Sequence, residues 1–198
     1  MAKNPIKSSD YKVLKTKLSL DFKNKKITIK KYDKLNKIFT FLFYSGARIS
    51  EVLRLKGMDI SYLIENKELR LLTPKTKKYK DGGFRDIPFT DTAIEDIADT
   101  FKDCIKHQEG YCLCPHTNRS KMLNLNTVVK EITSYLNDTF GKGKFTSHSF
   151  RAGIITEMIL DHEVNSKVVQ SFIGHKNEAT TMIYVKPTKT DIRNALIR

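Results

Sequence analysis

The sequence predicts an α+β fold, mainly α-helical, with one small antiparallel hairpin. Three observations carry that prediction. Residues 32–44 place Leu35, Ile38, Phe39, Leu42 and Phe43 at i, i+3, i+4, i+7 and i+8, the apolar stripe of an amphipathic helix. The same spacing returns over 90–107 with Ile94, Ile97, Phe101 and Ile105, and over 126–137 with Val128, Val129, Ile132 and Leu136. Between the first two, residues 68–88 alternate like paired strands. Leu69 and Leu71 on one side, and Ile87 and Phe89 on the other, are strand-like, and Asp81-Gly82-Gly83 between them is the turn signal.

Taken in order, residues 1–24 have weak periodicity, with Leu14, Leu18 and Phe22 on one face of a short basic helix. Ile27 and Ile29 suggest a short strand over 25–31. The division expected is a basic N-terminal arm over 1–24 and a globular domain over 25–198. Gly46 ends the helix of residues 32–44, and Ser50 is placed to cap a second one carrying Val52, Leu53 and Leu55. Arg48 lies in the turn between these two core-anchored helices, a rigid mount. Thr90 or Asp91 caps the helix of 90–107, and residues 111–115 read as a short buried strand. Ser147 is placed to cap a helix backed by Ile154, Ile155, Met158 and Ile159, and a turn is expected over 161–165. Val168, Val169, Phe172 and Ile173 mark a short helix that Gly174 stops. A further helix over 177–185 is broken by Pro187, and a last one over 191–197 offers Leu196 and Ile197 as anchors.

At 198 residues the chain can build one substantial core, and 39% hydrophobic content suits a globular protein. Its formal net charge of +14 is the informative figure. A chain this basic is expected to meet a polyanion, nucleic acid first and an anionic membrane surface second. The first 31 residues hold ten Lys and two Asp, a net +8. No apolar run approaches the ~20 residues of a membrane span, and the Lys-rich start lacks the apolar core of a secretory signal. Cys104, Cys112 and Cys114 do not form a disulfide framework, which fits a reducing compartment. With His107 and His116 they suggest a zinc cluster only superficially, because no Cys-x-x-Cys knuckle is present. Core or loop cysteines are the better reading, and no metal or other cofactor is expected.

The chemistry concentrates between Ser147 and Tyr184. His148 and Arg151 are three apart, hence on one face of a helix and in its first turn, where backbone N–H groups and the helix dipole favour an anion. His175 follows a helix-ending glycine, and Tyr184 comes nine residues later. A cation, two imidazoles and a phenol around an anion site point to phosphoryl transfer with tyrosine as nucleophile.

These residues resemble the signature of the tyrosine recombinase/integrase family. That signature is His-x-x-Arg, then Leu-Gly-His, then Tyr nine residues on, here His148-Ser-Phe-Arg151, Ile173-Gly-His175 and Tyr184. Gly46-Ala47-Arg48-Ile49-Ser50-Glu51 matches the family's earlier arginine motif. Pro74-Lys75-Thr76 before Arg85-Asp86-Ile87-Pro88 is similar to the hairpin carrying its catalytic lysine. Several separated motifs in the right order are far more specific than any one of them. The likeness covers roughly residues 30–198.

The resemblance implies the family's catalytic-domain fold and a site-specific DNA recombinase or integrase. Such an enzyme cleaves and rejoins strands through a 3′-phosphotyrosyl intermediate, without metal or external energy. Tyr184 would be the nucleophile. Its phenol, of pKa ~10, is only about one part in a thousand ionised at pH 7, so a base is needed. His148 is the candidate base, Arg48 and Arg151 hold the non-bridging oxygens, and Lys75 protonates the departing 5′ oxygen. His175 would hydrogen-bond the phosphate or brace Tyr184. The implied partner is double-stranded DNA, with a homotetramer on two sites, and a partner recombinase or accessory DNA-bending protein is a further expectation. No membrane association is expected, and the expected location is cytoplasm or nucleoid, or an organelle interior. The helical DNA-clamping domain that precedes most catalytic domains of the family is expected to be absent. The alternatives are a type IB topoisomerase-like enzyme and an inactive or accessory DNA-binding relic.

Overall fold

Helix α2, Ile29–Ser45, is the spine of the molecule. The computed structural model describes residues 4–72, 84–115, 118–175 and 178–182. Leu35, Ile38, Phe39, Phe41 and Leu42 of α2 are all fully buried. The stripe predicted for this helix is therefore too narrow. Phe41 and Thr40 are enclosed as well, as expected of a helix covered on several sides. Helix α1 (Ser8–Lys23), helix α5 (Asp91–Thr100) and helix α8 (His148–Thr156) supply the cover.

Residues 8–23, expected within a basic arm, form α1, and Tyr11, Leu14 and Leu18 join the same core as α2. Burying each leucine contributes about 1.5–3 kcal/mol. Of its lysines, Lys12 and Lys23 are exposed and Lys15 donates to the side chains of Asn36 and Thr40. Lys17 donates to Asp21, which also accepts from the Tyr135 hydroxyl at 2.9 Å. The strand expected over 25–31 is not formed. Lys25 turns the chain at φ 56°, and the Thr28 hydroxyl caps α2 by accepting the Lys31 N–H at 3.3 Å. That capped turn takes the backbone groups a strand would need.

Gly46 closes α2 at φ 56°. The next helix, α3 (Ile49–Val52), is one turn long, and its N-cap is Arg48, not Ser50 as expected. Helix α4 (Gly57–Asn66) leads into β1 (Glu68–Leu72), which pairs antiparallel with β2 (Phe84–Pro88). Leu69 faces Ile87 and Leu71 faces Arg85, and these four are the buried positions. The Asp81-Gly82-Gly83 turn lies outside the described residues.

The single helix expected over 90–107 is two, α5 and α6 (Lys102–Ile105). Phe101 breaks it at φ −108° and ψ 12°, its buried ring edge-on to Phe41. Thr90 is the cap of α5. Residues 111–115 are buried in part, but pair only through a bridge between Tyr111 and Lys56. A ladder cannot extend there, because the partner segment turns into α4 at Gly57. Cys104 and Cys112 are core residues. Helix α7 (Leu125–Phe140) is capped by Asn124.

At the start of α8, Ser147 is already helical at φ −57° and ψ −25° and makes no side-chain cap, contrary to expectation. The Thr146 N–H instead bonds the Ser149 hydroxyl at 3.0 Å. α8 runs on as a π-helical segment, Glu157–Asp161, so the turn expected from 161 begins only after it. Helix α9 (Ser166–Ile173) ends at Gly174, φ 71°, and helix α10 (Glu178–Met182) follows. Ile155, Val169 and Ile173 form a second, smaller core beside the main one. The expected helix over 191–197 lies outside the described residues. Among the described residues, no helix is long and apolar enough to cross a membrane.

Gly153 of α8 lets the chain start pack on it. The Ile6 N–H bonds the Ser149 carbonyl at 2.9 Å, and a Cβ at Gly153 would stand 2.0 Å from the Ile6 carbonyl oxygen. Gly153→Ala is therefore expected to displace residues 4–7 and cost about 1–3 kcal/mol. Faster tryptic cleavage at Lys7 and a lower urea midpoint would report it; an unchanged cleavage rate would refute it.

Candidate active site

Arg48 is held by its own helix. As N-cap of α3 it donates its backbone N–H to Glu51 Oε2 at 2.8 Å, and its Nη1 to Glu51 Oε1 at 2.9 Å. Glu51 has no exposed side-chain surface, whereas Arg48 keeps 21%. Glu51 meets a second guanidinium as well, since Arg85 Nη2 of β2 donates to Oε2 at 3.0 Å. Burial alone would raise the Glu51 carboxyl. Arg85, the Arg48 N–H and the Arg48 charge outweigh burial and hold the carboxyl below its ordinary value.

Arg85 reaches further. Its Nη1 donates to the Phe172 carbonyl in α9 at 2.7 Å, and its Cδ would lie 2.9 Å from a Cβ at Gly174. Its Nε is buried without a hydrogen-bond partner among the described residues. Arg85 thus ties the hairpin to both the Arg48 turn and the end of α9.

Arg151, 2% exposed, closes the group from α8. Its Nη1 donates to the Gly46 carbonyl at 2.9 Å and its Nη2 to the Ile173 carbonyl at 2.6 Å. Those carbonyls close α2 and α9, where helix dipoles leave negative charge, so the guanidinium joins two helix ends. Gly46 is essential to the approach, because a Cβ there would stand 2.7 Å from Ile154 Cγ2.

His175 follows directly. Its N–H bonds the Gln170 carbonyl at 3.1 Å, and its carbonyl accepts from Gln170 Nε2 at 3.0 Å. On the ring, Nε2 receives Arg151 Nε at 3.4 Å, and Nδ1 is 2.9 Å from Thr181 Oγ1. Burial, then the charges of Arg151, Arg48 and Arg85, push the imidazole down to about 4. It is neutral at physiological pH. His148 is the first residue of α8, exposed, on the face of the helix that also carries Arg151.

The structure therefore brings Arg48, Arg151 and His175 into one cluster. Lys75 and Tyr184 lie outside the described residues; in sequence Lys75 comes three residues after the end of β1 and Tyr184 two after the end of α10. Sequence reading assigned no role to Glu51, Arg85 or Thr181. One signal was present for Arg85: it sits two residues before Ile87, on the face of the strand that should be apolar.

The sequence profile of the phage integrase family matches residues 13–191. The chain is 29% identical over 167 residues to tyrosine recombinase XerA of Pyrococcus horikoshii, covering 83% of this chain and 53% of that one. It is 30% identical over 146 residues to tyrosine recombinase XerC of Chlamydia trachomatis, covering 72% of this chain and 44% of the other. Among solved structures, the XerH site-specific recombinase bound to palindromic difH substrate aligns with a TM-score of 0.73 at 17% identity, over 98% of this chain and 53% of that chain. A XerA recombinase crystal structure aligns at 0.71 and 18%, over 98% and 64%. The chain belongs to the phage integrase family, the tyrosine recombinases, and its fold is that of their catalytic domains. It spans about half the length of the relatives it matches.

Two outcomes follow from the ionic cluster. Glu51→Gln leaves Arg85 buried beside a neutral amide and should cost about 3–5 kcal/mol at pH 7. The difference from wild type should shrink as pH falls below 4.5, the ordinary value, because Glu51 of the unfolded wild-type chain then begins to protonate while the native carboxylate stays ionised. Urea melts across pH check both. His175 is depressed from 6.5 to about 4, so the unfolded chain binds its proton first and wild-type stability should fall as pH drops through that window. His175→Gln should flatten that part of the curve; an unaltered slope would contradict the assignment.

Proposed function

We propose that this chain is the catalytic part of a site-specific DNA recombinase that cuts and rejoins strands through a 3′-phosphotyrosyl link. The observation that carries the reading is the cluster itself. Arg48, Arg85 and Arg151 all act on His175, with the Glu51 carboxylate paired to two of them, Arg48 and Arg85. The cluster keeps a net positive charge and suits a phosphate diester.

In this reading Tyr184 attacks the scissile phosphorus. A bond forms from its phenolic oxygen to phosphorus, and the bond to the 5′ oxygen breaks. His148, at the accessible start of α8, takes the phenol proton, and Lys75 gives one to the leaving oxygen. Arg48 and Arg151 stabilise the charge that gathers on the non-bridging oxygens. The phosphotyrosine conserves the bond energy, so religation needs no nucleotide. Family membership and the DNA-bound recombinase among the structural relatives support double-stranded DNA as substrate. The proposed assembly is a homotetramer on two sites, with the DNA clamp supplied outside the region described here or by a partner recombinase. The net charge of +14 supports a strongly salt-dependent affinity.

The test is a covalent trap. The protein is incubated with DNA from its own replicon, quenched in SDS, and assayed for protein-linked DNA. Wild type should give an adduct and Tyr184→Phe none. Arg48→Ala should slow adduct formation by about 10²–10³-fold. An adduct that survives Tyr184→Phe would overturn the reading.

A further inference from the structure

Resting on the recombinase reading, we propose that Thr181 is a positioning residue that, together with Arg151, fixes the tautomer of His175, placing its proton on Nδ1 and leaving Nε2 as the acceptor of Arg151 Nε. The ring has two nitrogens and both are engaged. Arg151 Nε, at 3.4 Å from Nε2, is a donor under all accessible conditions. A proton on Nε2 would set two N–H groups head to head, so Nε2 is the acceptor. The proton of the neutral ring is then on Nδ1, which faces Thr181 Oγ1 at 2.9 Å.

Thr181 is suited to that task by its place. Its side chain is fully buried, on α10, three residues before Tyr184. A hydroxyl can accept the imidazole N–H, whereas valine, of the same shape, cannot. The bond therefore joins the histidine of the cluster to the helix that leads to the nucleophile. Its chemical consequence is specific. A neutral Nδ1–H ring cannot donate to a phosphate oxygen through Nε2, whose one lone pair is taken by Arg151 Nε. Of the two roles open to His175, phosphate donor or brace for the phenol, the tautomer rules out donation to the phosphate through Nε2.

The experiment is ¹⁵N-histidine NMR on the full chain near pH 7, with His175 assigned by the signals lost in His175→Gln. The expected pattern is a protonated Nδ1 and an unprotonated Nε2. Thr181→Ser should keep it, and Thr181→Val should shift the ring toward a mixture of tautomers. Adduct formation should fall about tenfold in Thr181→Val, one hydrogen bond's worth, and recover in Thr181→Ser, with DNA affinity unchanged. An Nε2–H ring in wild type, or an unaltered Nδ1–H ring in folded Thr181→Val, would overturn the proposal. The tautomer is read without DNA. The expected pattern in a protein that forms no adduct would uphold the role of Thr181 and count against strand transfer.

Discussion

The carboxylate of Glu51, buried between two arginines, is the constraint on which the site depends. A lone carboxylate with no exposed surface would protonate or pull the turn open. Here it accepts from the Arg48 N–H, the Arg48 guanidinium and the Arg85 guanidinium. Each bond fixes a different piece of chain: the turn after α2, the side chain that projects from it, and strand β2. Arg85 carries the constraint on to Phe172 and Gly174, and so to His175. Such a pair does little for net stability compared with apolar packing, because desolvating the charges offsets most of their attraction. What it supplies is position.

Arg151 works by the same economy from the other side. Its guanidinium lies where the carbonyl ends of α2 and α9 converge, so the helix dipoles partly neutralise a charge that burial would otherwise disfavour. The positive charge is then concentrated around His175, and burial first, with that charge added, keeps the imidazole neutral. Three cations and a neutral ring can sit together because the backbone and one carboxylate share the compensation.

Much of this was legible beforehand. The amphipathic helices and the hairpin follow from periods of 3.6 and 2, and the family follows from the order and spacing of the motifs around Arg48, His148, Arg151, His175 and Tyr184. What escaped is what depends on long-range contact. Leu14 and Leu18 hinted at a helix face, but only α2 and the rest of the core show what that face meets. The capping role of Thr28 was hidden by two isoleucines that suggested a strand. Glu51 and Arg85 are 34 residues apart, and nothing local says they meet. Thr181 stood in the sequence beside the tyrosine, but a hydroxyl acquires a role only when its partner, here the His175 ring, is in view.

The two hydrophobic clusters divide the site unequally. Arg48 and the start of α8 rest on the main core, whereas α9 and the π-helical segment rest on the small one of Ile155, Val169 and Ile173. Local opening costs less where less apolar surface is buried. Amide exchange should accordingly run faster through α9 than through α2. The site is then part anvil and part hinge: arginine side firm, histidine side yielding, with Arg85 and Arg151 as the pins between them.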